Sequence, residues 1–367
     1  MQRNCRCLSF AILSGLASLF LFGTSIVHAQ ELRWNELNQQ MLQFYRSSRY
    51  AEGIPVAAEA LKVAEGTWGP NHPNVANSLN NLAEMYRLAG RASEAKPLYE
   101  RAQKIAEAAE GAESLLLAAT LSNLAELYRG QGNVAQAEPL YKRALAIREK
   151  ALGPDHPDLA QTLNNLALLY ATANRPQEAE PLYQRALAIY RKALGEDHLL
   201  VATCLGNLAE LYRSQHKFSQ AAPLYQRAIE IEEKSGSANP ALAGDLNNEG
   251  LMFAAQGKSK DAERVYHEAL AIQEKSYGPE SSALITTLAN LDALLQAEGR
   301  LRDAEPFLER ILQISEKNLG PENPGLAGPL ERLAELYKKL GQMEQAEKTE
   351  ARLQRLPTAA ASVKSVK

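Results

Sequence analysis

Apolar residues recur in this chain at two intervals, a short one that builds helices and a long one that repeats them. Between Pro157 and Ala173, Leu159, Leu163, Leu166, Ala167 and Tyr170 fall three and four residues apart, the spacing of one helical face. From Glu178 to about Lys192, Ala179, Leu182, Tyr183, Ala186, Leu187 and Ile189 do the same. Asn174 stands between the two stretches, where other copies carry Gly90, Gly132, Gly257, Gly299 and Gly341. A left-handed residue there ends the first helix. His156-Pro157 opens that helix, with proline at the first helical position and Asp155 or His156 available as cap. Leu194-Gly195 closes the second helix, as Leu152-Gly153-Pro154 and Leu319-Gly320-Pro321 do elsewhere. Pro181, matched by Pro97, Pro139, Pro223 and Pro306, places the start of the second helix within about one turn upstream, while backbone donors are still unpaired. Each period therefore predicts a hairpin of two helices of about 15 residues, each about 22 Å long.

The long interval is read from Leu163-Asn164-Asn165-Leu166-Ala167. Its counterparts begin at Leu79, Leu121, Leu205, Leu246 and Leu288, with a worn copy at Leu37 and a rewritten one at Leu330. The step is 42 residues, except for 41 between Leu205 and Leu246. A fixed period of this size means stacked units that bury their apolar faces against one another, so fold class is all-α. About eight units start near 32, 74, 116, 158, 200, 241, 283 and 325, within an array from 30 to 356. Ala83, Ala125, Ala167 and Ala209 on first helices, and Ala102, Ala144, Ala186, Ala228 and Ala269 on second helices, mark the close crossings. Around the short step the pattern weakens. Glu249 takes the place of a core leucine and Asp292 that of a core alanine, so either they find partners or the array is looser there. We expect a softer joint around 235–250. The last unit carries Glu331, Arg332, Lys338 and Lys339, as a solvated cap should.

Composition adds two things. With 46% apolar and 23% charged residues the chain is that of a folded protein, and a net charge of −3 gives no ground for nucleic-acid binding. The two ends differ from the rest. Arg3 and Arg6 precede an apolar run from Leu8 to Val27 that ends in Val27-His28-Ala29, the pattern of a secretory signal peptide over residues 1–29 with cleavage after Ala29. The alternative is an uncleaved membrane anchor formed by residues 8–27. Export then implies a secreted or periplasmic protein whose one remaining thiol, Cys204, has no internal disulfide partner. Residues 357–367 have no periodicity and are expected to be disordered.

Catalytic chemistry finds no residues to rest on. Gly257-Lys258-Ser259 has the end of a phosphate-binding loop, but the earlier glycine would fall at Met252. Ser93 and Lys96 have serine–lysine spacing at a helix start, where Ser93 is expected to cap. His72, His156 and His198 occur once per unit, too far apart to share a metal, and read as loop caps. Neither metal nor cofactor is expected.

Leu-Asn-Asn-Leu-Ala-x-Leu-Tyr, a glycine, Glu-Ala-Glu-Pro-Leu-Tyr-x-Arg-Ala-Leu-Ala-Ile and Leu-Gly-Pro-Asp-His-Pro together resemble tetratricopeptide repeats. The 42-residue period and paired asparagines are similar to the kinesin-light-chain subgroup, here in a bacterial-type chain with a signal peptide. That resemblance implies a right-handed α-solenoid of helix-turn-helix hairpins whose first helices line a concave groove. On it would lie a ladder of Asn81, Asn123, Asn165, Asn207, Asn248 and Asn290, with Asn80, Asn164 and Asn247 beside it. Asparagine within a helix costs roughly half a kcal/mol against alanine, so some interaction must offset it. The amides either hold the backbone of an extended partner or bond a neighbouring helix and fix the stacking. Glu84/Arg87, Glu126/Arg129 and Glu210/Arg213 are charge pairs three residues apart, while Leu168/Ala171, Leu251/Ala254 and Ala293/Gln296 make other units apolar or neutral. A near-neutral protein or peptide segment with apolar anchors suits such a groove, and membrane contact is expected only if the leader stays. The expected function is a non-catalytic scaffold exported from the cytoplasm. The alternatives are an envelope assembly protein using its end units or convex face and, remotely, an exported enzyme.

Overall fold

The computed structural model describes residues 7–236 and 240–357, with side chains from residue 27 onward. Residues 1–6 of the leader, the side chains up to residue 26, the C-terminal tail beyond 357 and 237–239 within the expected joint thus fall outside the described residues. Among the described residues every regular element is helical. The chain divides into two compact units, 1–189 and 190–367.

The first unit holds α1 (Cys7–Arg46), α2 (Tyr50–Trp68), α3 (Pro73–Leu88), α4 (Ala92–Glu110), α5 (Leu115–Gly130), α6 (Val134–Leu152), α7 (Pro157–Thr172) and the first part of α8 (Pro176–Leu194). α1 packs on α2, α3 on α4 and α5 on α6 as hairpins, and α2–α3, α4–α5 and α6–α7 stack them. The second unit takes the rest of α8, then α9 (Leu199–Ser214), α10 (Phe218–Lys234), α11 (Pro240–Ala255), α12 (Ser259–Tyr277), α13 (Ile285–Ala297), α14 (Leu301–Leu319), α15 (Ala327–Leu340) and α16 (Met343–Arg355). Single 3-10 turns, Ser282–Leu284 and Pro324–Leu326, lead into α13 and α15. Its hairpins pair and stack in the same order. First helices begin at Pro73, Leu115, Pro157, Leu199 and Pro240, and the 3-10 turns at Ser282 and Pro324. α1 runs unbroken through Ala29.

The crossing alanines are fully buried, and Tyr99, Tyr141, Tyr183, Tyr225 and Tyr266 fill the space beside them. An alanine lets two backbones approach, and the tyrosine ring closes the gap at native density. The turn inside each hairpin follows from one backbone sign. Gly90 has φ 77°, and Arg91 N–H then bonds Tyr86 O at 2.8 Å while Gly90 N–H bonds Arg87 O at 3.1 Å. That closes the orphan carbonyls of α3. Asn174 does the same at φ 57°; so does His216, which the sequence pattern did not mark.

The three histidines cap the helices that follow them, as expected, while Ser114, Ser281 and Asn323 cap in other copies. Nδ1 of His72 accepts from Asn74 N–H at 3.1 Å, that of His156 from Asp158 N–H at 3.2 Å, and that of His198 from Leu200 N–H at 3.1 Å. Ser93 does not cap. The cap of α4 is Arg91, whose carbonyl accepts the first helical bonds, so Ser93 lies inside the helix. The helix-breaking prolines also sit deeper than expected, with Pro97 five residues into a helix starting at Ala92. Because the cap carbonyl starts the helix so early, the missing proline donor falls in the second turn.

Salt bridges link successive second helices. Arg101 meets Glu65 at 2.6 Å, Arg143 meets Glu107 at 2.5 Å and Arg185 meets Glu149 at 2.5 Å in the first unit; Arg310 meets Glu274 at 2.5 Å in the second. Only Ala346 of α16 is buried, which suits an end unit.

Candidate functional site

The asparagine positions divide into three groups. In the first, one atom of each amide bonds to a neighbouring hairpin. Asn80 is buried and donates to Thr120 Oγ1 of the next hairpin at 2.6 Å. Asn81 Nδ2 donates to Asn38 Oδ1 of the preceding hairpin at 3.1 Å. In the second unit Asn290 Nδ2 repeats that bond to Asn247 Oδ1 at 2.9 Å, and Asn247 is itself buried. These four residues hold hairpin to hairpin, which offsets their helix cost. The second group, Asn164 and Asn207, is also engaged. The third group is different. Asn123 and Asn165 in the first unit and Asn248 in the second are half-buried, and their amides make no hydrogen bond with another side chain among the described residues.

The charge pairs are locked more tightly than spacing alone implied. Arg87 grips Glu84 with two bonds, Nε to Oε2 at 2.8 Å and Nη2 to Oε1 at 2.6 Å. The hydroxyl of Tyr99, reaching over from α4, donates to Glu84 Oε2 at 2.6 Å. Arg129, Glu126 and Tyr141 repeat the set, with the Tyr141 bond at 2.8 Å. Arg213, Glu210 and Tyr225 repeat it in the second unit, with the Tyr225 bond at 2.9 Å. Burial works to raise the Glu126 carboxyl, yet the bonds from Arg129 and Tyr141 outweigh it and hold the group below its ordinary range. The same burial, reinforced by the neighbouring carboxylate, drives Tyr99, Tyr141 and Tyr225 far above the usual phenol range. A forked guanidinium plus a phenol satisfies the carboxylate, so these groups cancel one another and leave the surface near neutral. Leu168 in the first unit and Leu251 in the second, both half-buried, stand where Glu84, Glu126 and Glu210 stand in other copies and are apolar there.

Asp292 has found its partner. Fully buried at an alanine position, its carboxylate pairs with Arg332 and accepts from Gln296 Nε2 at 2.8 Å. Arg332 occupies the ladder position of the last hairpin, so the final asparagine has been exchanged for a cation that reaches back to the acid. Glu249, at its leucine position, is 6% exposed. Cys204 is a buried thiol, which burial pushes up to about 12. Among the described residues no three His, Cys, Asp or Glu side chains are grouped to hold a metal ion. Among them, too, no helix is long and apolar enough to cross a membrane; the side chains of 8–26 are not part of that set.

Two family models, both described as tetratricopeptide repeat, match the chain, one over residues 42–108, 116–192, 177–234 and 293–356, the other over 246–283. No curated protein matches it. Among solved structures, BtubC (BKLC) from P. vanneervenii is 26% identical, with a TM-score of 0.51 over 66% of this chain and 92% of that one. A Podosopora anserina kinesin light chain with nearly identical TPR-like repeats is also 26% identical, with a TM-score of 0.47 over 54% of this chain and 94% of its own. The Rap protein complexed with Competence and Sporulation Factor is 16% identical, with a TM-score of 0.58 over 90% of this chain and 98% of that one.

Proposed function

The chain belongs to the tetratricopeptide repeat family, and from that premise we propose that it is a non-catalytic scaffold whose first helices hold an extended segment of a partner protein. The family's fold is typical of protein-binding scaffolds. The observation that carries the reading is the split of the ladder. Asn81 and Asn290 spend their amide donors on stacking, whereas Asn123, Asn165 and Asn248 keep a donor and an acceptor each for something else. A peptide backbone presents the matching groups at every residue. With Glu84, Glu126 and Glu210 neutralised by their arginines, the favoured segment is near neutral, with apolar side chains to set against Leu168. The Rap structure, held with Competence and Sporulation Factor, is consistent with such use of the fold.

Replacing Asn123, Asn165 and Asn248 together by Ala is expected to abolish capture of partner proteins by the immobilised array, read by mass spectrometry, and to leave the melting temperature within a few degrees. Replacing Asn81 and Asn290 should do the reverse, lowering stability by about 1 kcal/mol per lost bond. Capture that survives the triple substitution in a folded array would sink the groove reading.

The scaffold is, in this proposal, exported by residues 1–29 and works outside the cytoplasm. The basic start, apolar run and Val27-His28-Ala29 support this. N-terminal sequencing of protein recovered from the periplasm or medium should begin at Gln30. A chain starting at Met1 in the membrane fraction would favour the anchor instead.

A further inference from the structure

Where the repeat loses a residue, the second unit turns three carboxyl groups into its packing. Asp245 on α11 stands where other copies have Ser78, Thr120, Thr162 and Thr287. In the first unit the hydroxyl at this place is met from the preceding hairpin, by Trp34 at Ser78, by Asn80 at Thr120 and by Arg148 at Thr162. Here the preceding residue is Gly206, and a Cβ added to it would lie 2.5 Å from Asp245 Oδ1. The carboxyl has taken both the space of a side chain and the place of its hydrogen bond. Glu232 on α10 adds a second acid. It is 1% exposed, and its Oε2 is buried without a hydrogen-bond partner. At the equivalent places in the first unit stand Ala64, Ala106 and Arg148, and the Arg148 guanidinium donates to the hydroxyls of Ser122 and Thr162. Glu249, one turn beyond Asp245, is the third.

Cations near the trio are already committed. On α9, Arg213 is bound to Glu210, which also accepts from Tyr225 of α10. On α12, Arg264 pairs with Glu268 at 2.9 Å and offsets Glu249 only in part, with Asp261 and Glu268 opposing it. No cation among the described residues acts on Glu232 or Asp245. The clamp between successive second helices also fails here. The two positions that hold Arg101 and Glu65, or Arg310 and Glu274, elsewhere are occupied on α12 and α10 by Glu268 and Glu233, two like charges.

We propose that the α10–α11–α12 joint is a proton-operated hinge, closed while Glu232 and Asp245 hold protons and loosened when both ionise side by side. Burial, then the charges of Glu232 and Glu249, pushes Asp245 up to about 8, and burial alone pushes Glu232 to about 7. In an unfolded chain carboxyls titrate near pH 4. Between these limits the folded joint binds more protons than the unfolded chain, so its stability is full below about pH 4 and drains away as pH rises toward about 8. The device stands independently of which partner the groove takes.

Hydrogen exchange on the full chain tests it, with residues 120–150 of the first unit as internal reference and rates corrected for intrinsic pH dependence. Amides of 225–255 should exchange at least about tenfold faster at pH 8.5 than at pH 5.5 relative to that reference, the equivalent of one pKa unit of coupling. E232Q with D245N should flatten the ratio. So should E232A, G206N and D245T together, which rebuild the Ala106, Asn80 and Thr120 set of the first unit and provide a well-packed control. Equal protection of the native joint at both pH values, or a ratio unchanged in the rebuilt variant, overturns the hinge.

Discussion

Tyr141→Ala is expected to cost about 4 kcal/mol, the range for deleting a fully buried aromatic side chain. The ring is 0% exposed in the centre of the α5–α6 hairpin, between the alanines that let the two helices approach. Its loss leaves a cavity that neighbouring backbones, already in contact through Ala125 and Ala144, cannot close. The hydroxyl adds a separate share. It donates to Glu126, a carboxylate also held by Arg129, and a bond to a charged acceptor contributes roughly 1.5–3 kcal/mol. Tyr141→Phe therefore isolates that share, and should cost about 2 kcal/mol at most because the guanidinium remains. In a stack each hairpin is stabilised by its neighbours, so the alanine variant should also broaden or split the urea transition followed by helical circular dichroism. Equal losses for the two variants would mean that the hydroxyl, and not packing, holds the hairpin.

Tyr141 also shows what could be read from the sequence and what could not. Its place in the core follows from periodicity, because a residue three or four positions from buried alanines on one helix has nowhere else to point. Its bond to Glu126 joins two helices, and spacing along one chain carries no such information until the hairpin closes. The same limit applied to the ladder. Six asparagines at one repeat position look alike in sequence, yet Asn81 and Asn290 reach amides on the preceding hairpin while Asn123 and Asn165 do not. The difference lies partly in the neighbour: Asn81 faces Asn38, whereas the residue offered to Asn165 is Ser122, already bonded to the Ala118 carbonyl and Arg148. Departures from the repeat were the most informative signal. Asp292 and Arg332 replace an alanine and an asparagine in successive copies, and two linked exceptions of opposite charge are a contact written in the sequence. Glu232, Gly206 and Asp245 are another set of linked exceptions, visible only after the copies are laid over one another.

The Asp292–Arg332 pair makes the sharper test, because the repeat itself supplies the control residues. Arg332→Ala should destabilise the end of the second unit by about 3 kcal/mol, the low end for breaking a buried pair, since the arginine is half exposed while the aspartate is not. Gln296 still donates to one carboxylate oxygen, but an amide cannot neutralise the charge. Asp292→Ala restores what Ala83, Ala125, Ala167 and Ala209 place there and removes the need for a partner. It should be neutral or slightly stabilising, as replacing a buried ion pair with apolar packing often is. The double variant should then match Asp292→Ala alone, so that Arg332 matters only while the acid is present. Urea melts of the three variants measure this coupling directly. An Arg332→Ala melt that overlays the native one would mean the carboxylate finds water at that end of the stack, and the argument for a required partner would fail. A cost that persists in the double variant would instead assign Arg332 a role in packing α15 that does not pass through Asp292.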